Sequence, residues 1–118
     1  MSYSIRLVDA ETKEEVQLDK SHNLIGGTYC VGGTDRAWLN VTYNYADIFY
    51  KVLGEKGIRS IYGLTGKDSI MILSKAISVL KDDVSDNYWE ATEGNVRKAL
   101  SDLLQLAIMK PDAIWDGD

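Results

Sequence analysis

The sequence predicts an α+β fold, with a small N-terminal antiparallel sheet of about four strands packed against about three or four C-terminal helices. Apolar side chains recur at every second position in short segments of residues 1–45, the period of half-buried strands, and at helical spacing in segments of residues 46–110. Because strands and helices are segregated along the chain, an alternating βαβ architecture is disfavoured. We expect the 118 residues to form one domain, with an acidic tail at residues 111–118.

The first two strands are predicted from pairs of apolar residues that share one face. Ile5 and Leu7 form the first pair, and Val16 and Leu18 form the second. The segment between the two pairs is mostly polar, as expected for a hairpin loop.

The third predicted strand is short, residues 28–31, and a Gly-Gly pair flanks it on either side as a turn. The fourth, residues 37–45, is the clearest, because its odd-numbered positions are alanine, leucine, valine and two tyrosines. We expect short connections to join these strands into an antiparallel meander or a twisted antiparallel sheet, and to leave residues 34–36 in a loop.

Four helical segments follow. Residues 46–53 predict a helix that ends at Gly54, and residues 55–63 predict one or two helical turns that end at Gly63.

The third helix is predicted to begin at Thr65, since Asp68 three residues later completes an N-cap arrangement. The longest helix follows Thr92 and ends before Pro111, the only proline. The apolar stripes of these two helices consist of Ile70, Leu73, Ile77 and Leu80, and of Val96, Leu100, Leu103, Leu104 and Ala107.

Composition and charge exclude several classes of function. The net charge is −5, from 18 acidic and 13 basic side chains, so the overall field disfavours direct binding to nucleic acid and to anionic membranes. No apolar run reaches the length of a membrane span, and the N-terminus lacks a signal-peptide pattern. A single cysteine cannot form an intramolecular disulfide, which favours a cytoplasmic protein.

The sequence does not match the motif of a nucleotide-binding phosphate loop. The stretch "GLTGKDS" resembles a phosphate-binding loop, but Ile61 occupies the position of the first glycine and Asp68 replaces the metal-binding hydroxyl. One cysteine and one histidine cannot supply the ligands of a structural zinc site. A hard-cation site in the tail lacks the loop pattern that such sites use. The sequence therefore predicts no cofactor and no metal site.

Nucleophilic catalysis also finds little support. His22 and Cys30 could approach each other across a hairpin, but a lone cysteine within a strand more often packs as a small hydrophobe. Glu90 and Glu93 lie near a helix start, where carboxylates favourably interact with the helix dipole. We therefore predict no catalytic residues and favour a protein that is not an enzyme.

Aromatic and amide residues are the more prominent feature, because large rings with polar tips anchor recognition surfaces as well as completing small cores. Trp115, in the tail, must either pack back over the domain or remain available to a partner. A small anionic ligand would instead use the basic side chains of Arg36, Lys56 and Arg59. The candidate binding residues are Arg36, Tyr43, Asn44, Tyr45, Lys56, Arg59, Tyr88, Trp89, Glu90, Glu93 and Trp115.

The phrases "GGTYCVGGT", "AWLNVTYNYADIFY", "GEKGIRSIYGLTG", "DNYWEATEGNVRKAL" and "KPDAIWDGD" extend over nearly the whole chain. They resemble those of a family of short bacteriophage and mobile-element proteins that has no established activity. The resemblance implies an accessory protein of a phage or mobile element that acts in the cytosol of a host cell. Such proteins often bind and block a host defence component, as anti-CRISPR proteins do.

Two hypotheses from different classes remain. The first is a non-enzymatic binding module that uses the acidic and aromatic residues against a protein partner, or the basic residues against a small anionic ligand. The second is a small enzyme or sequestering protein for a nucleotide-like metabolite, which requires the polar groups to converge in a pocket. A homo-oligomer is a further alternative, because a sheet of few strands leaves edges that a second copy can pair with.

Overall fold

The computed structural model describes residues 2–22 and 34–118 and confirms the α+β class. Its strands are β1 (Ser2–Val8), β2 (Gln17–His22), β3 (Thr34–Arg36), β4 (Trp38–Thr42) and β5 (Ile114–Gly117). Its helices are α1 (Ala46–Leu53), α2 (Gly66–Ser78) and α3 (Glu93–Met109), with 3-10 helices at Tyr43–Tyr45 and Gly57–Ile61. The strand predicted at residues 28–31, its flanking turns and Cys30 lie outside the described residues.

The strands do not follow the predicted meander order. A three-stranded antiparallel sheet has the order β4-β1-β5, and β2 and β3 form a separate antiparallel pair. In the larger sheet Ile5 lies opposite Leu39, and Leu7 lies opposite Trp115. The two sheets meet at an isolated bridge between Val8 and Glu15. The first strand of the chain is therefore the central strand of the sheet, which local spacing along the sequence does not reveal.

Half of the predicted acidic tail, residues 111–118, forms the strand β5. After Pro111 the chain turns back, and β5 pairs with β1 along the edge opposite β4. Trp115 is 1% exposed, and its indole Nε1 donates to Ser69 Oγ at 2.8 Å. Burial of this ring explains why the tail is ordered. A buried tryptophan side chain contributes more to the free energy of folding than the neighbouring aspartates lose when they approach the sheet.

Two further boundaries differ from prediction. The strand predicted over residues 37–45 ends at Thr42, whose Oγ1 accepts a hydrogen bond from Asn44 N at 3.1 Å and caps the 3-10 helix Tyr43–Tyr45. Residues 34–36, predicted as a loop, form β3 and pair with β2. An ion pair between Arg36 and Glu15 at 2.8 Å stabilises that pairing.

The helical predictions are confirmed. α1 spans the predicted residues and ends at Gly54, and a 3-10 helix occupies the predicted turns before Gly63. Thr65 Oγ1 accepts from Asp68 N at 3.1 Å, and Thr92 Oγ1 accepts from Asn95 N at 3.0 Å. Each threonine thereby satisfies a backbone donor that the first turn of its helix leaves free.

α2 and α3 pack against each other as an antiparallel pair. The start of α2 lies against the end of α3, where a methyl group on Gly66 would come within 2.8 Å of Lys110 O. The loop of residues 79–92 joins the other ends of the two helices. None of the helices in the described ranges has the length together with the apolar composition that a membrane-spanning helix requires.

We predict that Ser69→Ala lowers the free energy of unfolding by about 1–3 kcal/mol, because it leaves the buried Trp115 N–H without its acceptor. Ser78→Ala is a matched control in the same helix. Both serine hydroxyls donate to the carbonyl three residues earlier, but Ser69 alone of the two accepts from an indole. Urea denaturation measures both variants, and equal losses would contradict the assigned role of the Trp115 bond.

Candidate functional site

Two segments distant in sequence meet beside the N-terminus of α3. The Tyr45 hydroxyl donates to Tyr88 O, and Asn44 Nδ2 donates to Trp89 O at 2.9 Å. The Tyr88 hydroxyl in turn accepts from Thr42 N at 2.8 Å. The 3-10 helix is thus joined to the loop of residues 79–92, which we name the α2–α3 loop.

The side chain of Asn95 holds the same loop from the opposite direction. Asn95 lies in the first turn of α3 and is 6% exposed. Its Oδ1 accepts from Ser85 N at 3.0 Å, and its Nδ2 donates to Asn87 O at 3.0 Å and to Glu90 O at 2.9 Å. One buried amide therefore satisfies three backbone groups of a loop that has no regular secondary structure.

The beginning of the loop is fixed to α3 by carboxylates and by close packing. Asp83 Oδ1 accepts from Gly94 N at 2.9 Å, and Glu93 Oε1 accepts from Lys81 N at 3.1 Å. A Cβ atom on Gly94 would lie 2.5 Å from Val84 N, so glycine is required for this approach.

Aromatic rings connect the loop to the core. Tyr45 is fully buried, and its ring centroid lies 5.6 Å from that of Tyr88 in an edge-to-face arrangement. The Tyr88 ring lies 5.0 Å from that of Trp89, again edge-to-face. Trp89 ends this series with 55% of its surface exposed. The exposed indole therefore packs against the Tyr88 ring, which in turn packs against the buried Tyr45 ring.

Acidic side chains surround this indole in the sequence of the loop. Residues 81–93 carry five carboxylates and one lysine. Asp82, Asp83, Asp86 and Glu90 are exposed, and Glu90 Oε2 accepts from Ser85 Oγ at 2.6 Å. We define the acidic aromatic surface as Trp89 together with these four carboxylates.

A shallow cavity of about 260 Å³ adjoins the loop. Two polar side chains in its wall are already bonded, since the Tyr45 hydroxyl and both polar atoms of Asn95 are engaged with the loop backbone. Burial raises the pKa of Tyr45 above its ordinary value of 10.0, with a further contribution from Tyr88. A hydroxyl that keeps its proton is suited to donating a hydrogen bond and not to acting as a base at neutral pH. The cavity wall consists of Tyr45, Val84, Ser85, Asp86, Tyr88, Asn95 and Lys98.

The basic candidates lie elsewhere. The Arg36 guanidinium contacts Glu15 and lies 4.5 Å from the centroid of the Trp38 ring. Arg59 Nε donates to Asp118 O at 2.8 Å, and its guanidinium lies 5.0 Å from the centroid of the Tyr3 ring. Lys56 is exposed before the 3-10 helix Gly57–Ile61. These contacts join the arginines to the sheet and the C-terminus and not to the α2–α3 loop.

The other candidates divide between the loop and the core. Asn44, Tyr88, Trp89, Glu90 and Glu93 belong to the loop and its supports, as described above. Tyr43 is half-buried with its ring 4.6 Å from that of Tyr3, while Tyr45 and Trp115 are buried in the core. The side chains of Tyr45 and Trp115 are therefore not on the surface.

The candidate pair of His22 and Cys30 lies outside the described side chains. Within residues 2–22 and 34–118, no three histidine, cysteine or acidic side chains are grouped to hold a metal ion.

Sequence reasoning missed the residues that hold the loop, chiefly Asn95, Gly94 and Asp83. Asn95 carried a usable signal, because it lies next to Val96 on the side of α3 that faces the core. A side-chain amide at such a position must have hydrogen-bond partners, because a buried polar group without them destabilises the fold.

Comparison with protein-family models, with curated proteins and with solved structures finds no match to this chain.

We predict that at alkaline pH the free energy of unfolding falls less steeply with rising pH in Tyr45→Phe and in Tyr62→Phe than in the wild type. Burial raises the pKa of both hydroxyls above 10.0. Above that pH the unfolded chain releases these protons while the native state retains them, so the free energy of unfolding falls as pH rises. Each variant should remove about one proton from the number released on unfolding.

The two variants should differ at neutral pH. Tyr45→Phe leaves Tyr88 O without its donor and should cost about 1 kcal/mol. Tyr62→Phe should cost nothing, because among the described residues the buried Tyr62 hydroxyl has no hydrogen-bond partner. Urea denaturation between pH 7 and pH 11 measures both effects, and a wild-type pH slope for Tyr45→Phe would contradict the burial of its hydroxyl.

Proposed function

We propose that this protein is a non-enzymatic binding module whose acidic aromatic surface docks on a basic surface of a protein partner. One observation carries the proposal: the α2–α3 loop is held by Asn95, by Tyr45 and by Asn44, yet it leaves Trp89 55% exposed. Tryptophan is among the residues most enriched in energetically dominant interface contacts, and a tryptophan whose loop is already held in place is suited to that role.

The rigidity of the support favours binding. Association normally orders loops and side chains at a free-energy cost, and a loop that is already held avoids much of that cost. The backbone carbonyl of Trp89 is bonded to Asn44, and its ring rests on Tyr88. The indole is thus presented in a defined position before any partner arrives.

The charge of the loop indicates the chemistry of the partner. Five carboxylates against one lysine in residues 81–93 give a negative field that attracts a basic surface and repels nucleic acid. We therefore expect a partner with arginine or lysine side chains around an apolar pocket that receives Trp89. An arginine stacked on the exposed indole would gain a cation–π contact as well.

The resemblance to bacteriophage and mobile-element proteins supports a role for this module as an accessory protein that inhibits a host defence component. Many such components bind nucleic acid and carry basic surfaces, which an acidic surface can occupy. The proposed mechanism is competitive occupation of that surface without turnover.

The test uses immobilised wild-type protein, Trp89→Ala and Tyr50→Ala with a lysate of a bacterium that carries the gene. Tyr50 is a matched control, because it is an exposed aromatic residue on α1, outside the acidic aromatic surface. We expect a protein retained by wild type and by Tyr50→Ala and depleted at least about 10-fold by Trp89→Ala, as measured by quantitative mass spectrometry.

Calorimetry with the purified partner then measures the charge contribution. We expect Asp86→Asn to weaken binding, and the dissociation constant of the wild type to rise with sodium chloride concentration because salt screens exposed charges. Equal recovery by Trp89→Ala, or an affinity independent of salt, would contradict the proposal.

A further inference from the structure

A second surface lies on α2, on the side opposite to α3. The residues of α2 that are buried are Gly66, Ser69, Leu73 and Ala76. At about 100° per residue, Met71 and Ile72 project from the other side of the helix. Met71 is 82% exposed and Ile72 is 38% exposed. An apolar pair therefore occupies the middle of the outward face of this helix.

Charged side chains flank this pair on the same face. Asp68 lies about one turn before it and Lys75 about one turn after it, and both are exposed. They are separated by about 10 Å along the axis, too far to contact each other. Neither side chain takes part in an ion pair within the described part of the chain. Lys67 is also exposed, but it projects about 100° away from Asp68 around the helix and lies at the edge of this face. Along its middle, the face thus has a negative end, an apolar centre and a positive end.

Such a face is complementary to itself. When two copies of α2 lie antiparallel, with a two-fold axis passing between Met71 and Ile72, Met71 of one copy faces Ile72 of the other. The same symmetry places Asp68 of each copy opposite Lys75 of the other, because both lie equally far from the axis. An isologous contact repeats each interaction on both sides of the axis.

We propose that two copies of this chain form a symmetric dimer through the outward face of α2. Helix ridges that interlock at a shallow crossing angle bring the apolar pairs together, and the opposite charges fix the antiparallel orientation. Val79, 63% exposed just beyond the helix, extends the apolar surface. Because a single helix pair buries less area than a standard interface, we expect a weak dimer with a dissociation constant of roughly micromolar order.

The proposed dimer does not involve the acidic aromatic surface. Trp89→Ala should therefore dimerise as the wild type does, whether or not a partner for Trp89 exists. Failure of the dimer and failure of the partner proposal are thus separate outcomes.

The test is sedimentation equilibrium on the full chain, with a charge exchange across the proposed contact. Asp68→Lys places two positive charges on each face, and Lys75→Asp places two negative charges on each face. Each variant alone should dimerise at least about 10-fold more weakly than wild type, since like charges then face each other. An equimolar mixture of the two should recover the dimer, because every facing pair is again of opposite charge.

Asp47→Lys on α1 and Lys98→Asp on α3 make the same changes in net charge at exposed positions elsewhere and should leave dimerisation unchanged. Circular dichroism checks that each variant is folded. A wild type that stays monomeric at high concentration, single variants that dimerise as wild type, or a mixture that does not recover the dimer would each overturn the proposal.

Discussion

The buried amide of Asn95 is the interaction on which the candidate surface depends. It bonds to Ser85, Asn87 and Glu90 through their backbone groups, and so fixes the loop before and after the exposed indole. Tyr45 and Asn44 hold the same loop from the 3-10 helix. The loop is therefore held firmly to the rest of the domain. Because it contains no helix or strand, its backbone groups are hydrogen-bonded by side chains of neighbouring segments instead.

Local patterns in the sequence predicted the helices well. Thr65 and Thr92 cap their helices as expected, and Gly54 and Gly63 stand where the predicted helical segments end. These features act over a few residues, so spacing and residue type are sufficient to find them. The strand order was not predictable in this way, because β1, at the N-terminus, pairs with β5, at the C-terminus, as well as with β4. Pairing at such distances depends on which apolar faces the whole fold must bury.

The candidate site was predicted in part. Sequence reasoning selected the segments around Asn44 and around Trp89 as recognition residues, and the structure brings these two segments into contact. It also selected Trp115, which packs in the core, and basic residues that bind to the sheet and the C-terminus. The supporting residue Asn95 went unrecognised, because its importance arises from partners that only the folded chain brings within reach.

Hydrogen exchange in Asn95→Ala tests the central claim, that this amide orders the α2–α3 loop, most directly. Loss of its bonds should increase the exchange rate of the Ser85 amide and of its loop neighbours by at least about 10-fold, because the freed backbone groups open to water. The amides of β1 and β4 should change only by the amount that the global stability falls. Loop amides that exchange at the wild-type rate, once global stability is taken into account, would contradict the claim.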